Sequence, residues 1–142
     1  MKLVKQPLGS GCCLAACLAM VTDKTLEYVL ANASLSYCDE YDLEYLPLTE
    51  AIHYLADHCM TMGVSITPQS KMFEGIQEFN AVIQVDNADS ILTVPSNNLE
   101  GARHCIVYSG GEIYDPYPIN QVKTLEELEV FEWWLIQRIE EL

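Results

Sequence analysis

The sequence predicts an α+β protein, in which a mainly helical first half packs on an antiparallel sheet formed by the second half. Segments with helical spacing of apolar residues and with capping signals fall before residue 64. Short β-branched and aromatic runs, separated by turn residues, fall after it. The chain has 142 residues, half of them apolar, which is the size of one domain with a full core. We therefore expect one domain over residues 1–142, helical at 1–63 and mainly β at 64–142.

Two helices are predicted near the N-terminus. The first runs from Cys13 to Val21, since apolar residues recur there at intervals of three and four and small alanines allow close packing. This composition predicts a central position for the helix. Thr25 is an N-cap residue for a second helix that extends from Leu26 to about Ala33.

A third helix follows an acidic, tyrosine-rich segment from Ser36 to Tyr45, which is predicted to be an exposed connection. Pro47 and Thr49 open the helix, and Gly63 is predicted to end it. His53 and His58 are expected on this helix as surface or half-buried groups. The predicted buried side of the helix consists of Leu48, Ile52, Leu55, Ala56 and Cys59.

The remaining residues have mainly strand character. Thr124 begins a capping box, which predicts a short helix there. The last segment is rich in β-branched and aromatic residues, which favour a strand. The predicted strands are residues 81–85, 91–94, 104–108, 112–115 and 130–136.

Composition restricts the function classes. The net charge of −14 repels phosphate backbones, so we expect no nucleic-acid ligand. No apolar run is long enough for a membrane span, and no secretory signal follows the basic start, so we expect a cytoplasmic protein without membrane contact. In that reducing compartment the cysteines should be free, and with no Cys-x-x-Cys pair a zinc site is not expected. Four of the cysteines lie among apolar neighbours or in predicted elements: Cys17, Cys38, Cys59 and Cys105.

A candidate nucleophile stands where a glycine-rich loop enters the first helix. The positive end of the helix dipole would lower the pKa of a thiol at Cys13. Gln6, seven residues earlier, could donate from its side-chain amide to an oxyanion beside the sulfur, with the Cys13 N–H as second donor. Either residue alone is ordinary, since an isolated cysteine at a helix start is more often a packed residue.

His104 and Asp115 supply an imidazole and a carboxylate. If Gly110-Gly111 forms a two-residue hairpin turn, residues 108 and 113 oppose each other. His104 and Asp115 are then a diagonal pair on one sheet face, about 7–8 Å apart between backbones. At that separation the carboxylate can accept a hydrogen bond from the imidazole and stabilise the imidazolium. The alternative is that both residues have structural roles, His104 as a half-buried residue at a strand edge and Asp115 as a turn residue before Pro116.

At these residues the chain resembles the papain-like cysteine peptidase fold in its compact bacterial and phage form. The resemblance is carried by Gln6, the run from Cys13 to Met20, His104 before an apolar strand, and Tyr114-Asp115-Pro116. It implies a helical lobe that carries the cysteine, packed on an antiparallel sheet that carries the histidine and aspartate. It also implies that Cys13 is the nucleophile and His104 the general base and acid. Asp115 would orient the imidazole, and Gln6 would be the oxyanion donor.

Two departures from the family pattern bear on this resemblance. Leu14 stands where the family often has glycine after its cysteine. The doublet Cys12-Cys13 also leaves two candidate thiols. Counting from Gln6 favours Cys12, whereas helix geometry and the downstream residues favour Cys13.

The combined pattern predicts a cysteine-nucleophile hydrolase of a peptide, isopeptide or related amide bond. Its partner would be a protein or peptide substrate, and it would need no metal or organic cofactor. Acyl transfer to an amine uses the same residues and is one alternative. A catalytically weak papain-like scaffold that binds another protein, as a phage factor would, is the other.

Overall fold

A computed structural model describes residues 1–63, 89–119 and 130–139. Helices and antiparallel strands are both present, which confirms the predicted α+β class. The helices are α1 (Cys13–Thr22), α2 (Leu26–Asn32) and α3 (Leu48–Asp57). The strands are β1 (Ser36–Cys38), β2 (Leu43–Tyr45), β3 (Met60–Gly63), β4 (Asp89–Pro95), β5 (Arg103–Ser109), β6 (Glu112–Tyr114) and β7 (Glu132–Arg138).

Helix α1 lies at the centre of the molecule, as its small residues predict. All of its residues after Cys13 are buried. The helix packs against α2 and α3 and against strand β5 of the sheet, so apolar side chains are needed all round it. Asp23, in the left-handed region with φ of 55°, ends the helix. The predicted helix is therefore confirmed, and it packs on the sheet strand that carries the candidate histidine.

The segment after α2 differs from its prediction. Thr25 caps α2 as predicted, since its Oγ accepts a hydrogen bond from the Tyr28 N–H at 3.1 Å. The residues from Ser36 to Tyr45, expected to be an exposed connection, instead form a two-stranded antiparallel hairpin of β1 and β2. Its strands are three residues long and largely exposed, so the alternating polarity of a typical strand is absent. This hairpin is a second, separate sheet.

Helix α3 begins where Pro47 and Thr49 predict but ends earlier than Gly63. Its last residue is Asp57, because Cys59 has a positive φ of 58° that breaks the helix. Gly63 lies in β3, so a strand occupies part of the half expected to be helical. The buried residues are Ala51, Tyr54 and Leu55, whereas Leu48, Ile52, Ala56 and Cys59 are exposed. The predicted face was therefore wrong except at Leu55, because contact with α1 selects the adjacent stripe.

In the part of the chain that the structure describes, the main sheet has five antiparallel strands in the order β3-β7-β4-β5-β6. Strands β4, β5, β6 and β7 confirm four of the predicted segments. The C-terminal strand β7 lies between β3 and β4, so it joins the first half of the chain to the second. Apolar residues are buried on both sides of this sheet, in one cluster around α1 and another around Leu92 and Ile106.

The predicted strand at residues 81–85 and the helix predicted from Thr124 lie outside the described residues. Within residues 1–63, 89–119 and 130–139, no helix has the length and apolar character needed to span a membrane.

Candidate active site

A tight loop places the two neighbouring cysteines at the start of α1. Cys12 occupies the N-cap position and Cys13 is the first residue of the helix. Gly11 approaches β2 so closely that an added Cβ would overlap the Glu44 carbonyl oxygen and the Leu43 side chain. A bridge between Gly11 and Tyr45 links the loop to the hairpin. The hairpin therefore holds the helix N-terminus, and with it the thiols, in place.

The hairpin predicted at Gly110-Gly111 is present and has the predicted register. Tyr108 opposes Ile113, and both glycines have positive φ, as a type I′ turn requires. This register brings the His104 Nε2 to 2.6 Å from the Asp115 Oδ1. Asp115 directly follows β6 rather than lying within it.

The His104–Asp115 pair is buried and held on several sides. His104 is 6% exposed and Asp115 is 4% exposed. The same Asp115 oxygen accepts the Tyr117 backbone N–H at 2.9 Å, and the Tyr117 ring meets the imidazole edge-on at 5.8 Å between centroids. Because Nε2 is hydrogen-bonded to Asp115, the hydrogen bond between His104 and Cys13 uses the other ring nitrogen, Nδ1.

Cys13, rather than Cys12, is the thiol beside His104. The pKa of Cys13 is lowered well below 9.0, first by a hydrogen bond from the Cys105 thiol. Burial acts in the opposite direction and raises the pKa. The His104 side chain lowers it further, through a hydrogen bond and its positive charge, and so does a hydrogen bond from the Cys105 backbone N–H. For Cys12, burial raises the pKa above its ordinary value. The two adjacent thiols thus differ in the direction of their shifts, and only one of them favours thiolate.

The imidazole of His104 has the complementary shift. Burial alone would lower its pKa, but hydrogen bonds to Asp115 and Cys13 and the negative charges of both raise it from 6.5 to about 9. At neutral pH the site therefore favours a thiolate on Cys13 facing an imidazolium on His104. Such a pair can attack a carbonyl carbon and then protonate the leaving group.

Gln6 lies in the same cleft and is 4% exposed. Its backbone N–H donates to the Pro116 carbonyl at 2.8 Å, which fixes the N-terminal segment beside Asp115. Its side-chain Nε2 donates to the Ser10 carbonyl at 2.9 Å. Among the described residues, Gln6 Oε1 is buried and has no hydrogen-bond partner. Nε2 also donates to the Ser10 Oγ at the longer distance of 3.4 Å, so this second N–H is the one that an oxyanion can draw away from Ser10.

A cleft of about 580 Å³ opens over these residues. Its lining includes the site residues Gln6, Cys13, His104 and Cys105, together with Tyr117. The hairpin contributes another part of the lining, namely Tyr37, Cys38, Glu40, Tyr41, Leu43 and Tyr45. The remaining lining includes Ser96, Leu99, Gly101 and Ala102 from the segment that joins β4 to β5, and Arg103 at the start of β5. The cleft is large enough for several side chains of a peptide.

Two contributions to the site are not apparent from the sequence. In the sequence, Cys105 is a packing residue in an apolar strand, yet its thiol and backbone N–H both donate to Cys13. The acidic, tyrosine-rich segment is part of the cleft lining rather than a connection. The only sequence signal for Cys105 is its position directly after His104, since neighbours of a site histidine on a short strand lie close to the site.

Comparisons with known proteins return no relatives. No protein-family model matches the chain, no curated protein matches it, and no solved structure matches its fold.

Proposed function

We propose that this protein is a cysteine-nucleophile hydrolase of a peptide, isopeptide or related amide bond. The observation that carries the proposal is the chain of contacts from Asp115 through His104 to Cys13. Cys13 is the nucleophile, His104 the general base and acid, and Asp115 the residue that orients the imidazole. The cleft above them accommodates the protein or peptide substrate.

The reaction has two stages. The Cys13 thiolate attacks the carbonyl carbon, and the oxyanion that forms accepts hydrogen bonds from the Cys13 N–H and the second N–H of Gln6 Nε2. His104 gives its proton to the leaving amine, which departs and leaves a thioester on Cys13. His104 then takes a proton from water, the resulting hydroxide attacks the thioester, and the acid is released. Each step uses side chains of this chain and needs no metal or organic cofactor.

The papain-like fold is part of the same proposal. A cysteine at the N-terminus of a central helix, with a histidine on β5 and an aspartate directly after the adjacent antiparallel strand β6, supports it. The chain order glutamine, cysteine, histidine, aspartate supports it as well. Leu14 remains a departure, and it faces both the cleft and a smaller apolar pocket of about 190 Å³. Transfer of the acyl group to an amine in place of water would use the same intermediate.

The first test measures the reactivity of Cys13 with a chloroacetamide probe at pH 7. We expect Cys13 to react about a hundredfold faster than Cys38, which lines the same cleft, because the pKa of Cys13 is lowered well below its ordinary value. His104→Ala should slow Cys13 labelling by a large part of that factor. Mass spectrometry of the labelled peptides gives both rates in one sample. Equal rates for Cys13 and Cys38 would favour the binding-scaffold alternative.

The second test measures hydrolysis of a library of internally quenched peptides. The rate of cleavage should fall at least about a thousandfold in Cys13→Ala and stay close to that of the wild-type chain in Cys38→Ala. Addition of a primary amine separates hydrolysis from acyl transfer, since a transferase yields the amide product. Cleavage that persists in Cys13→Ala would refute the proposed nucleophile.

A further inference from the structure

A second thiol stands against the proposed nucleophile. Cys105 lies on β5 directly after His104, and its thiol donates a hydrogen bond to the sulfur of Cys13. Helix α1 packs on β5, and Cys105 contacts the apolar cluster around that helix. The amide hydrolysis described above uses no chemistry of the Cys105 side chain. Its position in direct contact with a thiolate therefore needs a separate account.

Both residues line the cleft that a small oxidant would enter. Cys13 and Cys105 are half-buried, and both line the 580 Å³ cleft. Cys105 also lines the adjoining apolar pocket of about 190 Å³. Both cysteines are free, as are the other four. The pair thus combines a position in the cleft lining with mutual contact, two features that favour an inducible disulfide.

We propose that Cys13 and Cys105 form a peroxide-reactive dithiol site, in which Cys13 is oxidised and Cys105 resolves the product as an intramolecular disulfide. The inference goes beyond amide hydrolysis, because it requires the two thiols and not an acyl-enzyme.

The chemistry balances in two steps. The Cys13 thiolate attacks one oxygen of hydrogen peroxide, the O–O bond breaks, and with one proton the products are Cys13 sulfenic acid and water. The Cys105 sulfur then attacks the sulfenic sulfur, the S–O bond breaks, and a second water leaves with the Cys105 proton. The peroxide gains two electrons and the thiol pair loses two. A small dithiol reductant returns both thiols by exchange and becomes a disulfide itself.

The electrostatics support this order of events. The lowered pKa of Cys13 provides the thiolate that attacks the peroxide, with the hydrogen bond from the Cys105 thiol as the first cause of the shift. The pKa of Cys105 is raised well above 9.0, first by its hydrogen bond to Cys13 and then by burial. Cys105 therefore remains a protonated thiol until Cys13 has lost its negative charge to oxidation. The contact that holds Cys105 protonated is removed by the first step of the reaction.

The experiment treats the full chain with hydrogen peroxide, blocks remaining thiols with N-ethylmaleimide, and maps tryptic peptides without reduction. The expected product has lost about 2 Da and contains a cross-link between Cys13 and Cys105. Cleavage after Lys5 and Lys24 leaves Cys12, Cys13 and Cys17 on one peptide. Cys12→Ser and Cys17→Ala are therefore the matched controls, and the cross-link should survive in both.

Removal of Cys105 gives the complementary result. Cys105→Ala and Cys105→Ser should yield no cross-link, and Cys13 sulfenic acid should accumulate and be captured by dimedone. The serine variant keeps an O–H donor of similar size at this position, whereas the alanine variant does not. Agreement between the two variants therefore separates loss of the thiol from an effect on folding. In the wild-type chain, dimedone capture at Cys13 should be at least about tenfold lower, and dithiothreitol should restore both thiols.

Three outcomes would overturn the proposal. One is a cross-link that joins Cys12 or Cys17 in place of Cys105. Another is equal dimedone capture in the wild-type chain and in the Cys105 variants. The third is oxidation at exposed Cys59 before Cys13. None of these results depends on peptide cleavage, so they are read independently of the hydrolase proposal.

Discussion

At the residue scale, the protonation state of His104 depends on one carboxylate. Asp115 is buried and gives one oxygen to both the imidazole and the Tyr117 N–H. Its hydrogen bond and charge, together with those of Cys13, overcome the effect of burial on the His104 pKa. Asp115 is therefore one of the two groups that keep His104 protonated at neutral pH, the other being Cys13.

Asp115→Asn should lower the pKa of His104. In the wild-type chain that pKa is raised from 6.5 to about 9, so the imidazole is protonated at pH 7 and loses its proton as the pH rises through about 9. Loss of the carboxylate charge removes one cause of the rise, so the proton should leave at lower pH. The proposed peptide cleavage, in which the imidazolium protonates the leaving amine, should lose its alkaline range in parallel.

Imidazole resonances followed through a pH titration by nitrogen-15 NMR give this pKa directly. Asp39→Asn, at an exposed position of the hairpin connection, is the matched control and should leave the titration unchanged. An unchanged His104 titration in Asp115→Asn would contradict the assigned role of Asp115.

At the element scale, the hairpin of β1 and β2 positions the start of α1. Gly11 lies against the backbone of Glu44 and bridges to Tyr45, so the loop before Cys13 and strand β2 form one packed unit. Glycine at this position is required by the close approach of two backbones rather than by a positive φ. The helix N-terminus and the cleft lining are consequently coupled.

Gly11→Ala should disturb both the hairpin and the thiol. The added Cβ would overlap the Glu44 carbonyl oxygen, and backbone shifts of this kind cost about 1–3 kcal/mol of the free energy of unfolding. Chloroacetamide labelling of Cys13 should slow in parallel, because the sulfur moves relative to His104. Urea denaturation and labelling rates measure the two effects.

The matched control is Gly63→Ala in β3. Its Cβ would meet the Leu135 carbonyl oxygen at 3.5 Å, which is ordinary contact, and it carries no positive φ. Equal effects of the two substitutions would show that packing at Gly11 has no special importance.

At the scale of the whole molecule, the hairpin reaches across the cleft. The Tyr41 hydroxyl donates to the Glu100 carbonyl at 3.2 Å, although the two residues are 59 positions apart. Glu100 belongs to the segment between β4 and β5, whose residues also line the cleft. One hydrogen bond thus joins the N-terminal hairpin to the sheet side of the site.

Tyr41→Phe should widen access to Cys13 for large reagents. The substitution removes only the hydroxyl, so the ring remains in the cleft lining while the link to Glu100 is lost. We expect labelling by a bulky peptidyl chloroacetamide to accelerate about two- to fivefold, as loss of one neutral hydrogen bond allows. Labelling by chloroacetamide itself should change little. Tyr37→Phe is the control, since Tyr37 pairs with Asp42 within the hairpin. Equal acceleration of both reagents would argue against a steric link.

Local sequence signals determined much of this molecule. The helix at Cys13, the Thr25 cap and the Gly110-Gly111 register follow from interactions between residues close in sequence. That register alone placed His104 beside Asp115 within one hairpin. Hydrophobic spacing and turn chemistry act over a few residues, so these features are readable from the chain.

Tertiary structure decided the rest. Packing between distant segments determines three features of the molecule. These are the contact of α1 with β5, the buried stripe of α3 and the contact of Cys105 with Cys13. The hairpin of β1 and β2 has exposed strands, so no hydrophobic pattern in the sequence predicts it. Its place in the cleft depends on its contacts with Gly11 and Glu100, which are distant in sequence from parts of the hairpin. Contacts between distant segments depend on how the side chains of the whole chain fit together and become buried. Patterns within a short stretch of sequence do not contain that information.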